Sequence, residues 1–244
     1  MADPPAPGSF SEREVEGLPE PVRRVLTASI VPGAPLARSA RFRMGGSIKL
    51  GKRWLPFRAR QVLAPHHGLV WAARVGGALA GSDRYADGQG SMDRRILGLV
   101  RVVHAEGPDI SRSTAGRVGA EAVWVPTTLL PRFGVTCSAT DPHHIAATYF
   151  LDETKLELRY VLADDGQVRS VALERWADPD NTGTYGYHPF GFEVTGHASF
   201  DGVTITSAGR GGWFFGTERW AEGGVHALPD HRLPARNGGH ETAP

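Results

Sequence analysis

Asp201 and Gly202 stand between Phe200 and Val203, with strand-like runs leading away on both sides, which is the pattern of a two-residue β-hairpin. The favoured turn needs positive φ at both central residues, and Asp followed by Gly tolerates it. Asp165 and Gly166 repeat the dipeptide, and both pairs are read as type I′ turns. A period of two then recurs along most of the chain. Leu55, Phe57, Ala59, Gln61 and Leu63 share one face of a strand, while Trp54, Arg58 and Arg60 share the other. Further runs lie at 69–75, 91–96, 99–105, 135–139, 144–151, 156–162, 168–176, 193–200 and 203–207. About ten strands joined by hairpins argue against a parallel βαβ sheet. The expected class is α+β and mainly β: a strongly curved antiparallel sheet, or half-barrel, with a helix on its concave face and a short N-terminal helix.

The N-terminal helix follows from Leu18, Val22, Val25, Leu26 and Ile30, which recur at helical spacing before Pro32 and Gly33 end it. The second helix is expected at about 110–125. There Glu121 falls on the same stripe as Val118, Ala122 and Val125. A carboxylate on a core-facing stripe must be paired, protonated or beside a wet cavity, because burying it bare costs several kcal/mol.

The 244 residues suit one domain, 18–229, between Pro-rich or aperiodic tails at 1–17 and 230–244. With 27 basic and 26 acidic side chains, the net charge of +1 makes no case for a nucleic-acid partner or an anionic membrane. Cys137, the one cysteine, excludes an intramolecular disulfide and a cysteine-built zinc site. The first residues have no basic and apolar leader pattern, and no run reaches the roughly 18 apolar residues of a membrane span. No membrane anchor and a cytoplasmic location are expected.

Several passages carry a resemblance: Leu18-Pro19-Glu20-Pro21-Val22-Arg23-Arg24, Trp54-Leu55-Pro56-Phe57-Arg58-Ala59-Arg60-Gln61, Gly68-Leu69-Val70-Trp71-Ala72-Ala73, Asp83 to Gly90, Ala120 to Pro131, and Arg175-Trp176. Together they resemble a bacterial family known only as a domain of unknown function, over roughly residues 18–222. The implied fold is similar to the lipoprotein-carrier half-barrel, whose members hold acyl chains between a curved sheet and its helices.

Three polar residues sit on otherwise apolar faces: Glu121 on the helix, Arg175 in parity with Val171 and Leu173, and Gln61 in parity with Phe57 and Leu63. Converging inside a curled sheet, they would offer a carboxylate, a guanidinium and an amide to a ligand; alternatively Glu121 and Arg175 form an ion pair tethering helix to sheet. Asp83 and Tyr85, before the Gly88-Gln89-Gly90 turn, are placed at the cavity mouth. The segment 178–190, which contains Tyr187, is read as a lid or a surface loop. Phe57, Trp71, Trp124, Leu129 and Phe192 complete the expected apolar lining. The leading expectation is a binding protein for a hydrophobic small molecule or acyl chain. The alternative is a cofactor-independent cyclase, isomerase or hydrolase with Glu121 as acid or base, Arg175 stabilising negative charge and Tyr85 assisting.

No cofactor and no metal are expected. The pairs His66-His67 and His143-His144 place their rings on opposite faces of a strand, and Cys137 reads as a packing residue. Gly209-Arg210-Gly211-Gly212 lacks the Gly-Lys-Ser/Thr ending of a phosphate loop, and no Gly-x-Ser-x-Gly elbow occurs.

Overall fold

The computed structural model describes residues 8–222 and the backbone of 225–230; the expected C-terminal tail from 231 on lies outside the described residues. Helix α1 spans Glu20–Ser29 and α2 spans Pro108–Ala120. The strands are β1 (Ala40–Leu50), β2 (Arg53–Ala64), β3 (Gly68–Val75), β4 (Leu79–Ala86), β5 (Gln89–Ile96) and β6 (Val100–Glu106), then β7 (Thr136–Asp141), β8 (His144–Leu151), β9 (Thr154–Leu162), β10 (Val168–Ala177), β11 (Gly186–Phe200), β12 (Val203–Trp213) and β13 (Val225–Asp230). All pairings are antiparallel. The order is β6-β5-β4-β3-β2-β1-β13-β12-β11-β10-β9-β8-β7, so two six-stranded meanders meet at β13.

Hairpin chemistry accounts for the meanders. Asp201 and Gly202 have φ of 47° and 81°, as a type I′ turn demands, and Phe200 pairs with Val203. Asp87-Gly88 and Leu97-Gly98 turn with both φ values positive as well. At Asp165-Gly166 only the glycine has positive φ. The reading of that pair as type I′ is therefore corrected to a longer connection with Gly166 in the left-handed position, its added Cβ blocked by the Arg24 backbone at 2.9 Å.

Between the edge strands β6 and β7 the chain crosses the sheet through α2 and three 3-10 turns at Glu121–Trp124, Pro126–Leu129 and Pro131–Phe133. Helix α2 rests on β3 to β6 in one half and β9 to β11 in the other, flanking the central strands. Tyr85 on β4 donates to Asp152, in the β8–β9 turn, at 2.7 Å, which joins the two halves at the α2 end. Helix α1 packs on β7, β8 and β12. The expected N-terminal tail is shorter than its composition implies. Phe10 and Val15 are buried, and Phe10 exchanges backbone hydrogen bonds with Ala34 and Gly33, because a Pro-rich segment can pack wherever two apolar residues reach the core. No helix among the described residues is long and apolar enough to cross a membrane.

The inward side of β1 to β5 is apolar apart from Gln61, Asp83 and Arg94, whereas the outward side carries Arg41, Arg43, Arg58, Arg60, Arg74 and Arg84, all exposed and none with a carboxylate partner among the described residues. Arg43, Arg58, Arg60, Arg74 and Arg95 edge an open trough of about 1570 Å³ floored by Gly45, Ala72 and Ala80. The near-zero net charge conceals this segregation.

Candidate functional site

Phe42, Gln61, Trp71, Asp83 and Met92 stand opposite one another across β1 to β5, forming one inward row. Asp83 and Tyr85 are thus inward strand residues; the strand was hidden because two of its four inward positions are Gly81 and Asp83 rather than apolar side chains. Onto this row α2 lowers Arg117. Its guanidinium lies 4.8 Å from the centre of the Trp71 ring, hydrogen-bonds Asp83, and donates through Nε to Glu121 Oε1 at 2.8 Å. Gln61 Nε2 donates to the other Glu121 oxygen, and Arg94 pairs with Asp83 at 2.7 Å. Glu121 lies at the C-terminal cap of α2, where the helix tightens into a 3-10 turn, so the expected helix to 125 ends at Ala120.

The expected Glu121–Arg175 pair is not formed. Arg117, one helical turn before Glu121, takes the carboxylate, and Arg175 instead donates from Nε to the Ser113 carbonyl at 2.9 Å. Its guanidinium packs over Phe190 and Trp213, with ring centres at 4.7 and 4.6 Å. Gly116 permits this: a Cβ there would come within 2.8 Å of Arg175 Cγ. Burial opposes the Arg117 charge, yet Glu121 and Asp83 outweigh it and hold its proton more firmly than usual. Arg175 is affected in the opposite sense: burial and then the nearby Arg117 charge both lower its pKa, only partly offset by Glu121 and Asp83.

The cluster therefore holds three guanidiniums, Arg94, Arg117 and Arg175, against two carboxylates. It is not sealed, since the side chains of Arg94, Arg117 and Asp83 keep 23, 16 and 11% of their surface open. Beside it Trp124 sits edge-on to Phe42 at 5.7 Å and to Phe192 at 6.1 Å, with its buried indole N–H unpartnered.

Of the expected site residues, Gln61, Trp71, Asp83 and Glu121 share one network, Arg175 adjoins it, and Trp124 and Phe192 form the aromatic wall. Phe57 is buried further along the inward face of β2. Leu129 lies apart, lining a pocket of about 40 Å³ beneath α1 that suits a water molecule rather than an acyl chain. Tyr85 is corrected as an acid–base candidate: its proton is held more tightly by burial and by Asp152, the group its hydroxyl contacts. Tyr187 is corrected as a lining residue. It pairs with outward-facing Trp176, is 58% exposed, and begins after the loop it was assigned to, since β11 starts at Gly186. Sequence reasoning missed Arg94 and Arg117, although Arg117 at i−4 from Glu121 is a readable signal.

Cys137 is part-buried, and burial pushes its thiol up to about 11. Native protein at pH 8 is expected to react with iodoacetamide roughly 100-fold more slowly than unfolded chain, because far less thiolate is present. Comparable rates measured by mass spectrometry would contradict the packing assignment. Among the described residues no group of three or more His, Cys, Asp or Glu could hold a metal ion.

Residues 8–223 match the model of a family of unknown function, DUF6544, and the chain belongs to that family. Two solved structures are similar. One is given as an outer membrane lipoprotein-sorting protein domain from Vibrio parahaemolyticus; it is 8% identical, covers 82% of this chain and 87% of its own, and has a TM-score of 0.44. The other is a DUF1329 family protein from Desulfovibrio piger, 9% identical, covering 90% of this chain and 92% of its own, with a TM-score of 0.43. No curated protein matches the chain.

Proposed function

We propose that the protein binds a hydrophobic small molecule or acyl chain against the inward face of a half-barrel curled around α2. The curvature is supported by the contacts of α2 with β5 and β10, eight strand spacings apart in the sheet. Laid flat, those strands would lie about 38 Å from each other, several times the diameter of a helix. The Tyr85–Asp152 bond supports the same closure.

The observation that carries the binding reading is an apolar inward row whose side chains, among the described residues, are only part-buried. Phe192 is in register with Gly211, Val225, Ile48 and Leu55 across the middle of the sheet. Phe192, Ile48 and Leu55 are only part-buried, as are Phe190 and Trp213 in the next row. Leu50, Ile96, Val100 and Val103 extend the apolar surface and are more than 40% exposed or close to it. Apolar side chains on a core-facing side gain about 25 cal/mol per Å² when covered, and a contiguous patch of them is the usual mark of a binding groove. Both Glu121 oxygens are occupied, by Arg117 and Gln61, which favours binding over proton transfer.

The test is a fluorescence titration with 1-N-phenylnaphthylamine. Saturable one-to-one binding is expected, weakened at least tenfold by Leu55→Asp. No saturable binding, or the same affinity in Leu55→Asp, would remove the proposal.

A further inference from the structure

Resting on that reading of the inward face, we infer that the ligand is an amphiphile with an oxyanion head, a carboxylate or a phosphate, and that Arg175 holds the head while the aromatic rows hold the chain. Charge balance is the first ground. Asp83 is shared by Arg94 and Arg117, and Glu121 is taken by Arg117 and Gln61, so neither carboxylate remains for Arg175. Among the described residues the one hydrogen bond of Arg175 is from Nε to Ser113, leaving both terminal nitrogens without an acceptor. The Arg175 side chain is part-buried, with its terminal nitrogens not among the buried atoms, so a ligand can reach them, and its planar fork suits the two oxygens of a carboxylate or phosphate.

The surroundings give the second ground. Arg175 is braced by the Ser113 carbonyl and the Gly116 contact, and its rings, Phe190 and Trp213, belong to the part-buried inward face. Phe192, two residues along β11 from Phe190, projects to the same side and meets Trp124, whose buried indole N–H also lacks an acceptor. Two unmet donors thus stand at one end of an apolar surface. An acyl chain laid along the row toward Ile48 and Leu55 would bring its polar end to them. The pKa direction of Arg175 agrees, since a bound anion would supply what burial and Arg117 take away.

The experiment is displacement of bound 1-N-phenylnaphthylamine from the full chain at pH 8 by dodecanoate, dodecyl phosphate and dodecan-1-ol. All three should displace the probe, with at least one anionic compound tenfold or more tighter than the alcohol; which anion leads distinguishes carboxylate from phosphate. In Arg175→Met the anion's advantage should fall below threefold while probe and alcohol still bind. Arg175→Lys should keep most of it, and Arg58→Gln on the outward face should keep all of it. Equal affinities for anion and alcohol in the wild type, or an advantage lost with Arg58 instead of Arg175, would overturn the inference and leave the binding reading standing. A chain that binds neither probe nor alcohol would overturn the reading itself. Should Arg175→Met not fold, Arg175→Gln takes its place, and an anion advantage that stays above threefold in it would overturn the inference.

Discussion

Arg117→Met is expected to lower the unfolding free energy by about 3 kcal/mol, because it strips the counter-charge from Asp83 and Glu121 together. Both carboxylates are mostly enclosed, and Arg94 can compensate only Asp83. Urea unfolding measures the loss, and Arg117→Lys, which keeps a positive charge beside both carboxylates, should recover at least half of it. A loss as large in Arg117→Lys as in Arg117→Met would assign it to packing of the guanidinium on Trp71.

Gly209→Ala should have an effect of similar size from a different source. An added Cβ at Gly209 would lie 2.1 Å from the Glu193 carbonyl oxygen and 2.5 Å from the Phe192 ring, and the first obstacle is backbone that cannot swing aside. The β11–β12 ladder would have to part locally, at a cost of about 3 kcal/mol. Gly45→Ala, whose Cβ meets only Phe57 O at 3.5 Å, is the matched control and should cost less than about 1 kcal/mol. Thermal unfolding of the pair measures the difference; equal midpoints would show that the ladder yields freely. The glycines of Gly209-Arg210-Gly211-Gly212 thus have a structural reason: Gly209 and Gly211 make room for Phe192, the ring that carries the proposed chain-binding row.

Features set by neighbours in the chain were legible beforehand. The Asp201-Gly202 turn is local, and so is the alternation that faces Gln61 inward between Phe57 and Leu63. The abnormality of Glu121 was also readable, because helical spacing alone puts it among apolar residues. What could not be read was the partner. Arg117 and Arg175 are both arginines within reach of α2, and the choice depends on how β10 approaches Gly116, a contact sixty residues distant in sequence. Strand β4 was obscured because two of its inward residues, Gly81 and Asp83, serve close approach and charge rather than an oily core. Phe10 reads as part of the tail because its place is fixed by backbone bonds to Ala34 and Gly33, residues that only the turn after α1 brings near.

The arginines on the outward side of β1 to β4 give the molecule one positively charged face, and its behaviour will depart from that of a sphere with the same net charge. Near pH 8, where positive and negative charges cancel over the whole chain, a negatively charged surface still meets six unpaired guanidiniums on one side. Attraction there does not need an overall positive charge; it needs the molecule to turn. Beside any anionic boundary the protein will rest with that trough toward the charge, so its collisions are oriented before any specific contact is made, and salt will erase the preference over a Debye length of about 8 Å at 0.15 M.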